Sequence, residues 1–161
     1  MAASDKSAGG RIYLARNRKA LHDYNVIEKI EAGIQLLGTE VKVVRAGETS
    51  LSGSYAQIDK DNQVYVCHIT IPPYDFGNRF NHDSLRTRKL LLHKNEIRRL
   101  KAFVEQKGNT LVPLSIYLVR GKVKLELGVC KGKNQVDKRE TIRRRDADRE
   151  ASRAMSNAYK R

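Results

Sequence analysis

The chain has 161 residues, with 32 Lys or Arg against 18 Asp or Glu and a formal net charge of +14. That length suits one domain with an appendage, and a cationic excess that folding does not require points to an acidic partner, nucleic acid ahead of an anionic membrane. No apolar run is long enough to span a bilayer and no apolar stretch follows Met1, so neither a membrane protein nor a secreted one is expected, and a cytoplasmic location is.

Residues 1–10, mostly Ala, Ser and Gly, read as a mobile N-terminal arm, and residues 11–130 as the folded domain. The stretch "NRKALH", from Asn17 to His22, reads as a short basic helical turn. A strand is expected from Tyr24 to Glu31, with Gly33 as a turn or bulge before Ile34. In "GTEVKVVRAGE", Thr39 is the expected helix N-cap and Gly47 the stop; Val41 and Val44 share a stripe that leaves Lys42 and Arg45 on another face. Strands Tyr55 to Ile58 and Val64 to Ile71 form a hairpin over the turn from Asp59 to Gln63, ended by Pro72 and Pro73. Residues 72–86 are a polar loop containing Tyr74, Phe76 and Phe80. Arg88 to Leu92 reads as a strand.

The clearest helix is "KNEIRRLKAFVEQKGN", with Ile97, Leu100, Phe103 and Val104 on one face, Asn95 as cap and Gly108 as stop. The clearest hairpin follows it. Leu114, Ile116 and Leu118 alternate on one side of a turn at Arg120 to Lys122, and Val123, Leu125, Leu127 and Val129 on the other. Lys122, Lys124 and Glu126 line its opposite face. These elements predict a mainly β, α+β domain built as an antiparallel, oligonucleotide-binding-type barrel, since closure removes the exposed edges of a small sheet. An α+β sandwich fits the pattern alone equally well.

Chemistry at the residue level argues against an enzyme. Glu28 and Glu31, three apart in a strand, point to opposite faces, and no nucleophile, phosphate-loop or zinc-protease motif occurs. Cys67 and Cys130 sit in apolar surroundings and read as buried, reduced thiols. His22, His68, His82 and His93 are scattered. No metal and no cofactor is expected. For RNA, the candidates are aromatic rings among cations: Tyr24 near Arg18, Lys19 and His22, and Tyr55 downstream of Lys42 and Arg45. Each tyrosine reads equally well as a sheet residue packed inward. In "SLRTRKLLLHK", Leu90 to Leu92 read as partly core, and Arg88, at the strand entrance, as the functional candidate. Many cations with few aromatics favour a structured RNA read by shape.

Residues 131–161 form a basic tail, with eleven Lys or Arg against five Asp or Glu. Asp137 and Glu140 have capping-box spacing, and no Gly or Pro follows as far as Ala158. A helix of roughly 21 residues would be roughly 31 Å long. Its apolar face, Ala147, Ala151, Ala154, Met155 and Ala158, is too thin to dock firmly. The tail is therefore expected to be largely disordered when free and helical along a polyanion.

Three blocks, "NRKALHDYNVIEKIEAGIQLLGTEVKVVRAG", "RTRKLLLHKNEI" and "VCKGKNQVDKR", together resemble the SmpB family, the SsrA-binding proteins of bacterial trans-translation. The resemblance runs from Asn17 to the end of the chain. It implies an oligonucleotide-binding-type barrel that binds the tRNA-like domain of tmRNA and acts as a monomer. It also implies delivery of alanyl-tmRNA, with elongation factor Tu, to ribosomes stalled on truncated messages. By that resemblance Asn17, Lys19, His22, Tyr24, Glu31, Lys42, Arg45, Arg88, Lys89, Leu91, Lys131 and Lys133 lie at or behind the tmRNA surface. Glu31 is expected to orient a neighbouring Arg or a base edge. The resemblance sends the tail to small-subunit RNA, into the vacant decoding region and the message channel. The residues involved there are Val136, Asp137, Lys138, Arg139, Arg143, Arg144, Arg145, Arg149, Arg153 and Met155. Val136 departs from the His or aromatic residue often found at that position. The competing functional readings are a general ribosome-associated or ribosomal RNA-binding protein and a nucleoid-type DNA binder.

Overall fold

In chain order the elements are β1 (Lys6–Ser7), β2 (Arg11–Arg16), α1 (Arg18–Asp23), β3 (Tyr24–Ile34), α2 (Gly38–Ala46), β4 (Tyr55–Ile58), β5 (Val64–Cys67), β6 (Arg88–Leu91), α3 (Lys94–Val104), β7 (Asn109–Val119), β8 (Lys122–Gly132) and α4 (Gln135–Ala158). This computed structural model describes residues 6–7, 10–77 and 81–158. Phe80 and most of the N-terminal arm lie outside the described residues, as do the side chains of Gln135 and Val136.

The β7–β8 hairpin is the spine. Its turn residues Arg120 and Gly121 have φ of 49° and 77°, the left-handed pair that a two-residue turn needs to match strand twist. β3 pairs with β8 from Tyr24 opposite Gly132 to Gly33 opposite Lys124. From β3 the sheet continues through β6, β5 and β4, and Ala56 opposite Leu111 joins β4 back to β7. Six strands thus close an antiparallel ring, the expected barrel, and the sandwich alternative falls away. β2 extends the sheet beside the second half of β7, and β1 pairs with β2 through Lys6 and Ser7.

Alternating residues fill the ring: Ile30, Ala32, Val64, Val66, Leu111, Ile116, Leu125, Leu127 and Val129, plugged by Val43 and Val44 of α2 and Ile97 and Leu100 of α3. Phe103 packs at the edge of this core, while Val104 faces out. A smaller cluster of Ala20, Val112, Leu114 and Cys130 seats α1 on the barrel wall. Gly128 is part of that seat, because a Cβ there would come within 2.7 Å of Leu114 Cδ1. Cys67 and Cys130 are both buried free thiols, and burial pushes the Cys130 thiol up to about 11.

Several boundaries differ from the sequence reading, each for a local reason. α2 starts one residue before Thr39, because Glu40 reaches back to accept the Leu37 N–H at 2.8 Å; Thr39 instead meets His82 Nδ1 at 2.9 Å. α3 is entered at His93 rather than Asn95, with Glu96 accepting the His93 N–H at 2.8 Å. β3 runs through Gly33 because Leu91 crosses there: an added Cβ would lie 3.1 Å from Leu91 Cβ. β5 stops at Cys67, and His68 adopts φ 60°. α4 begins two residues before Asp137, with the Lys138 N–H donating to Asn134 O at 3.1 Å. Asp137 is therefore a first-turn acid favoured by the helix dipole, not the cap.

Candidate nucleic-acid interface

One concentration of candidate residues surrounds α1. Asn17 is only 5% exposed. Its Oδ1 accepts the Ala20 N–H at 3.0 Å, and its Nδ2 donates to Leu51 O and Pro113 O, both at 3.0 Å. Asn17 thus caps α1 and bolts it to the barrel, a supporting role behind the surface. Lys19 is held outward beside Tyr24 and Tyr55 at a cleft of about 350 Å³. His22 Nδ1 lies 3.0 Å from Asp23 Oδ1. That hydrogen bond, helped by the charges of Lys138 and Lys19, holds the Asp23 carboxyl below its ordinary range.

Asp23 also receives the end of the barrel. Its main-chain oxygen accepts the Lys133 N–H at 3.0 Å, and its carboxylate lies 3.7 Å from Lys138 Nζ. Lys133 Nζ reaches Leu21 O and Thr141 Oγ1, each at 3.4 Å. Lys131 is exposed on β8, opposite Asn25 and Asn109. The structure therefore brings Lys19, His22, Tyr24, Lys131, Lys133 and Lys138 to one end of the barrel.

A second concentration lies toward the β7–β8 turn. Glu31 is seven residues beyond Tyr24 on β3, roughly 23 Å away at strand rise. Its carboxylate accepts the Tyr117 hydroxyl at 2.7 Å and faces Arg11 Nη2 at 3.4 Å and Lys124 Nζ at 3.9 Å. Glu31 orienting a neighbouring Arg is thus realised in geometry. Burial, then the hydrogen bond to Glu31, pushes the Tyr117 phenol far up, so it stays a donor. The Arg11 guanidinium covers the Tyr117 ring at 4.8 Å, and Arg16 covers Tyr13 at 4.0 Å. Arg45 Nη2 donates to Gly121 O at 2.8 Å, and Lys42 Nζ lies 4.8 Å from the Tyr74 ring centre. Leu91, 54% exposed, and half-buried Lys89 share the outward face of β6.

Arg88 faces the other way. It is 0% exposed, in step with Leu90. Its Nε donates to Glu40 Oε1 at 2.9 Å and its Nη1 to Ile69 O and Arg86 O, both at 2.9 Å. Arg86 grips the same carboxylate at 2.6 and 2.9 Å. Burial would raise the Glu40 pKa, but the Arg86 and Leu37 hydrogen bonds and the Arg88 charge outweigh it and hold the carboxyl low. Arg88, the functional candidate of its segment, is in this structure part of a buried ion cluster that fixes the α2 start. The exposed cations nearby are Lys42 and Arg45.

Sequence reasoning missed Arg11, Tyr13 and Tyr117, which belong to the Glu31 assembly. The signal was present in the apolar-polar alternation of "RIYLAR", but a bulge between Tyr13 and Ala15 breaks its phase. Along α4, Asp137 and Lys138 are half-buried against the body, whereas Arg139, Arg143, Arg144, Arg145, Arg149, Arg153 and Met155 are exposed. Among the described residues, no group of three His, Cys, Asp or Glu could hold a metal ion, and no helix is long and apolar enough to cross a membrane.

The geometry accords with known proteins. The family model described as SmpB protein matches residues 14–157, barrel and tail together. An SsrA-binding protein of Caldicellulosiruptor saccharolyticus is 55% identical over 142 residues, covering 88% of this chain and 89% of that one. One from Acetivibrio thermocellus is 53% identical over 147 residues, covering 91% and 95%. Among solved structures, a chain described under "tmRNA-SmpB: a journey to the center of the bacterial ribosome" is 49% identical with a TM-score of 0.64, covering 81% of this chain and 94% of that one. A barrel with cations gathered at both ends of its longest strands, followed by a basic helix and matched from residue 14 to residue 157, belongs to the SmpB protein family.

Proposed function

We propose that this chain is an RNA-binding adaptor of ribosome rescue. It binds the tRNA-like domain of tmRNA and delivers the alanylated RNA, together with elongation factor Tu, to ribosomes stalled on truncated messages. The observation that carries the reading is the extent of the family match, which spans both the barrel and the exposed basic helix. In this reading Lys19, His22, Tyr24, Lys131 and Lys133 meet RNA at the α1 end, and Lys42, Arg45, Lys89 and Leu91 meet it toward the hairpin turn. Asn17 and Arg88 act from behind the surface, and Glu31 aims Arg11 and Lys124. From Arg139 onward α4 enters the decoding region and message channel, with Arg143, Arg144, Arg145, Arg149 and Arg153 on ribosomal phosphates. The protein works as a cytoplasmic monomer and catalyses nothing itself.

The test is a truncation after Gly132. The shortened protein should bind a tRNA-like tmRNA fragment with affinity near that of the full chain, yet support no peptide tagging on stalled ribosomes. Loss of tmRNA binding would make the tail a plain electrostatic anchor. Competition separates the other readings, since all of them neutralise phosphates and share a salt dependence. Equal affinity of the full chain for tmRNA fragment, tRNA, duplex DNA and unrelated RNA would overturn the rescue reading.

A further inference from the structure

His68 takes no part in the contacts described so far, and Tyr55 enters them only as a wall of the Lys19 cleft. β5 alternates Val64 and Val66 inward, so His68 would be the next residue to enter the core. It does not, because its φ of 60° shifts the strand by one residue and lets Ile69 and Ile71 face inward instead. That left-handed backbone is costly for a residue with a Cβ, and such positions gather at functional sites. The outcome is an exposed imidazole beside the exposed Tyr55 ring, with centroids 5.4 Å apart and planes at 79°. An edge-on pair leaves flat ring surface unused. Tyr55 also lines the cleft of about 350 Å³ that holds Tyr24 and Lys19. A cation and two tyrosines around one cleft, with a histidine behind, is the arrangement that takes an unstacked base on the rings and its phosphate on the ammonium.

We propose that Tyr55, held from behind by the edge-on His68 ring, forms a stacking platform for a single unpaired nucleobase, entered from the α1 end, with Tyr24 as the opposite wall and Lys19 on the adjoining phosphate. The platform rests on the proposed tmRNA function and adds to it a subsite that reads a splayed base rather than helix shape. A surface pair that merely stabilises the β4–β5 hairpin would need neither the cleft nor the lysine.

The experiment measures affinity for the tRNA-like fragment of tmRNA across a salt series, using the full chain and four variants. Tyr55→Leu should weaken binding about fivefold to hundredfold, the range of losing one base stack. His68→Gly, which accepts positive φ and so keeps the backbone, should also weaken binding at least about threefold without lowering thermal stability. Tyr55→Phe, which keeps the ring, should stay within about twofold of the parent. Neither ring deletion should change the slope of log affinity against log salt, whereas Lys19→Ala should make it shallower by about one phosphate. Parent-like binding by Tyr55→Leu and His68→Gly overturns the platform, and so does a shallower salt slope in either. A full chain that does not bind the fragment overturns the tmRNA reading and the platform with it.

Discussion

Removing Arg88 separates a buried strut from an RNA contact. In Arg88→Ala, the Glu40 carboxylate loses two close guanidinium contacts at 2.8 and 2.9 Å, and the carbonyls of Ile69 and Arg86 lose their donor. Arg86 remains on Glu40, but its side chain is partly exposed, so it screens less well than a fully buried partner. Breaking a buried ion pair from one side costs about 3–5 kcal/mol. For a chain of this size each kcal/mol moves the melting midpoint by about 2–4 °C, which gives a fall of roughly 6–20 °C. Differential scanning calorimetry reads it. At a temperature where the variant is still folded, its affinity for a tRNA-like tmRNA fragment should stay within about threefold of the parent and its salt slope should be unchanged. Pairing Arg88→Met with Glu40→Leu removes both buried charges and should recover at least about half of the lost stability. A melting midpoint within about 2 °C of the parent, with a shallower salt slope by about one phosphate, would place Arg88 on the RNA and refute the strut.

Glu40 also sets an acid limit. A carboxyl held low in the folded state contributes stability that is fully present above its unfolded pKa of about 4.3 and is lost as pH falls through the folded value. The midpoint should therefore be flat near neutrality and drop on acidification below about pH 4, and Glu40→Gln should be less stable at pH 7 with a weaker acid dependence. Gly128→Ala, forcing a Cβ against Leu114, should destabilise by about 1–3 kcal/mol in urea titration and loosen the seat of α1. A free peptide of residues 134–161 should show little helix by circular dichroism in buffer, because its thin Ala stripe has no surface to pack on; a stable helix there would contradict folding on binding.

The readable elements were those whose pattern is local. The β7–β8 hairpin shows its alternation and its turn in the sequence, although a bulge between Pro113 and Ser115 sends Leu114 to the α1 cluster and Ile116 to the barrel core. α3 shows its 3.6-residue apolar stripe, although it ends at Val104, short of the expected stop at Gly108. Barrel closure is different, since it turns on Ala56 meeting Leu111, 55 positions apart and ordinary in type. Arg88 misleads for the same reason: an arginine at a strand entrance reads as surface until Glu40, 48 positions earlier, supplies a buried counter-charge. At the candidate interface, Lys19, His22, Tyr24 and Glu31 were nominated because the family's ordered blocks contain them. Arg11 and Tyr117, which hold Glu31 in place, lie outside those blocks and depend on a sheet pairing the local pattern does not encode.

The contacts at Asp23 decide how far the barrel can govern the tail. Asp23 ends the helix that presents Lys19, and its two oxygen sites hold Lys133 and Lys138 at the root of α4. Thr141, hydrogen-bonded to Asp137 O and Lys133 Nζ, closes that root. From Ile142 to Met155 every residue is exposed. A straight helix of the 24 residues in α4 is roughly 36 Å long, so a tilt of about 10° at the root moves its far end by about 6 Å. The contacts holding the root are polar and partly exposed, and such contacts are worth about 1 kcal/mol each or less. They cannot aim a lever of that length to within the spacing of one phosphate. The barrel therefore fixes where the tail begins and its general heading, and a surface that binds the arginines must fix where it ends. That division suits the proposed function, in which the α1 end holds RNA and α4, already helical from Gln135 to Ala158, takes its final course from the channel it enters.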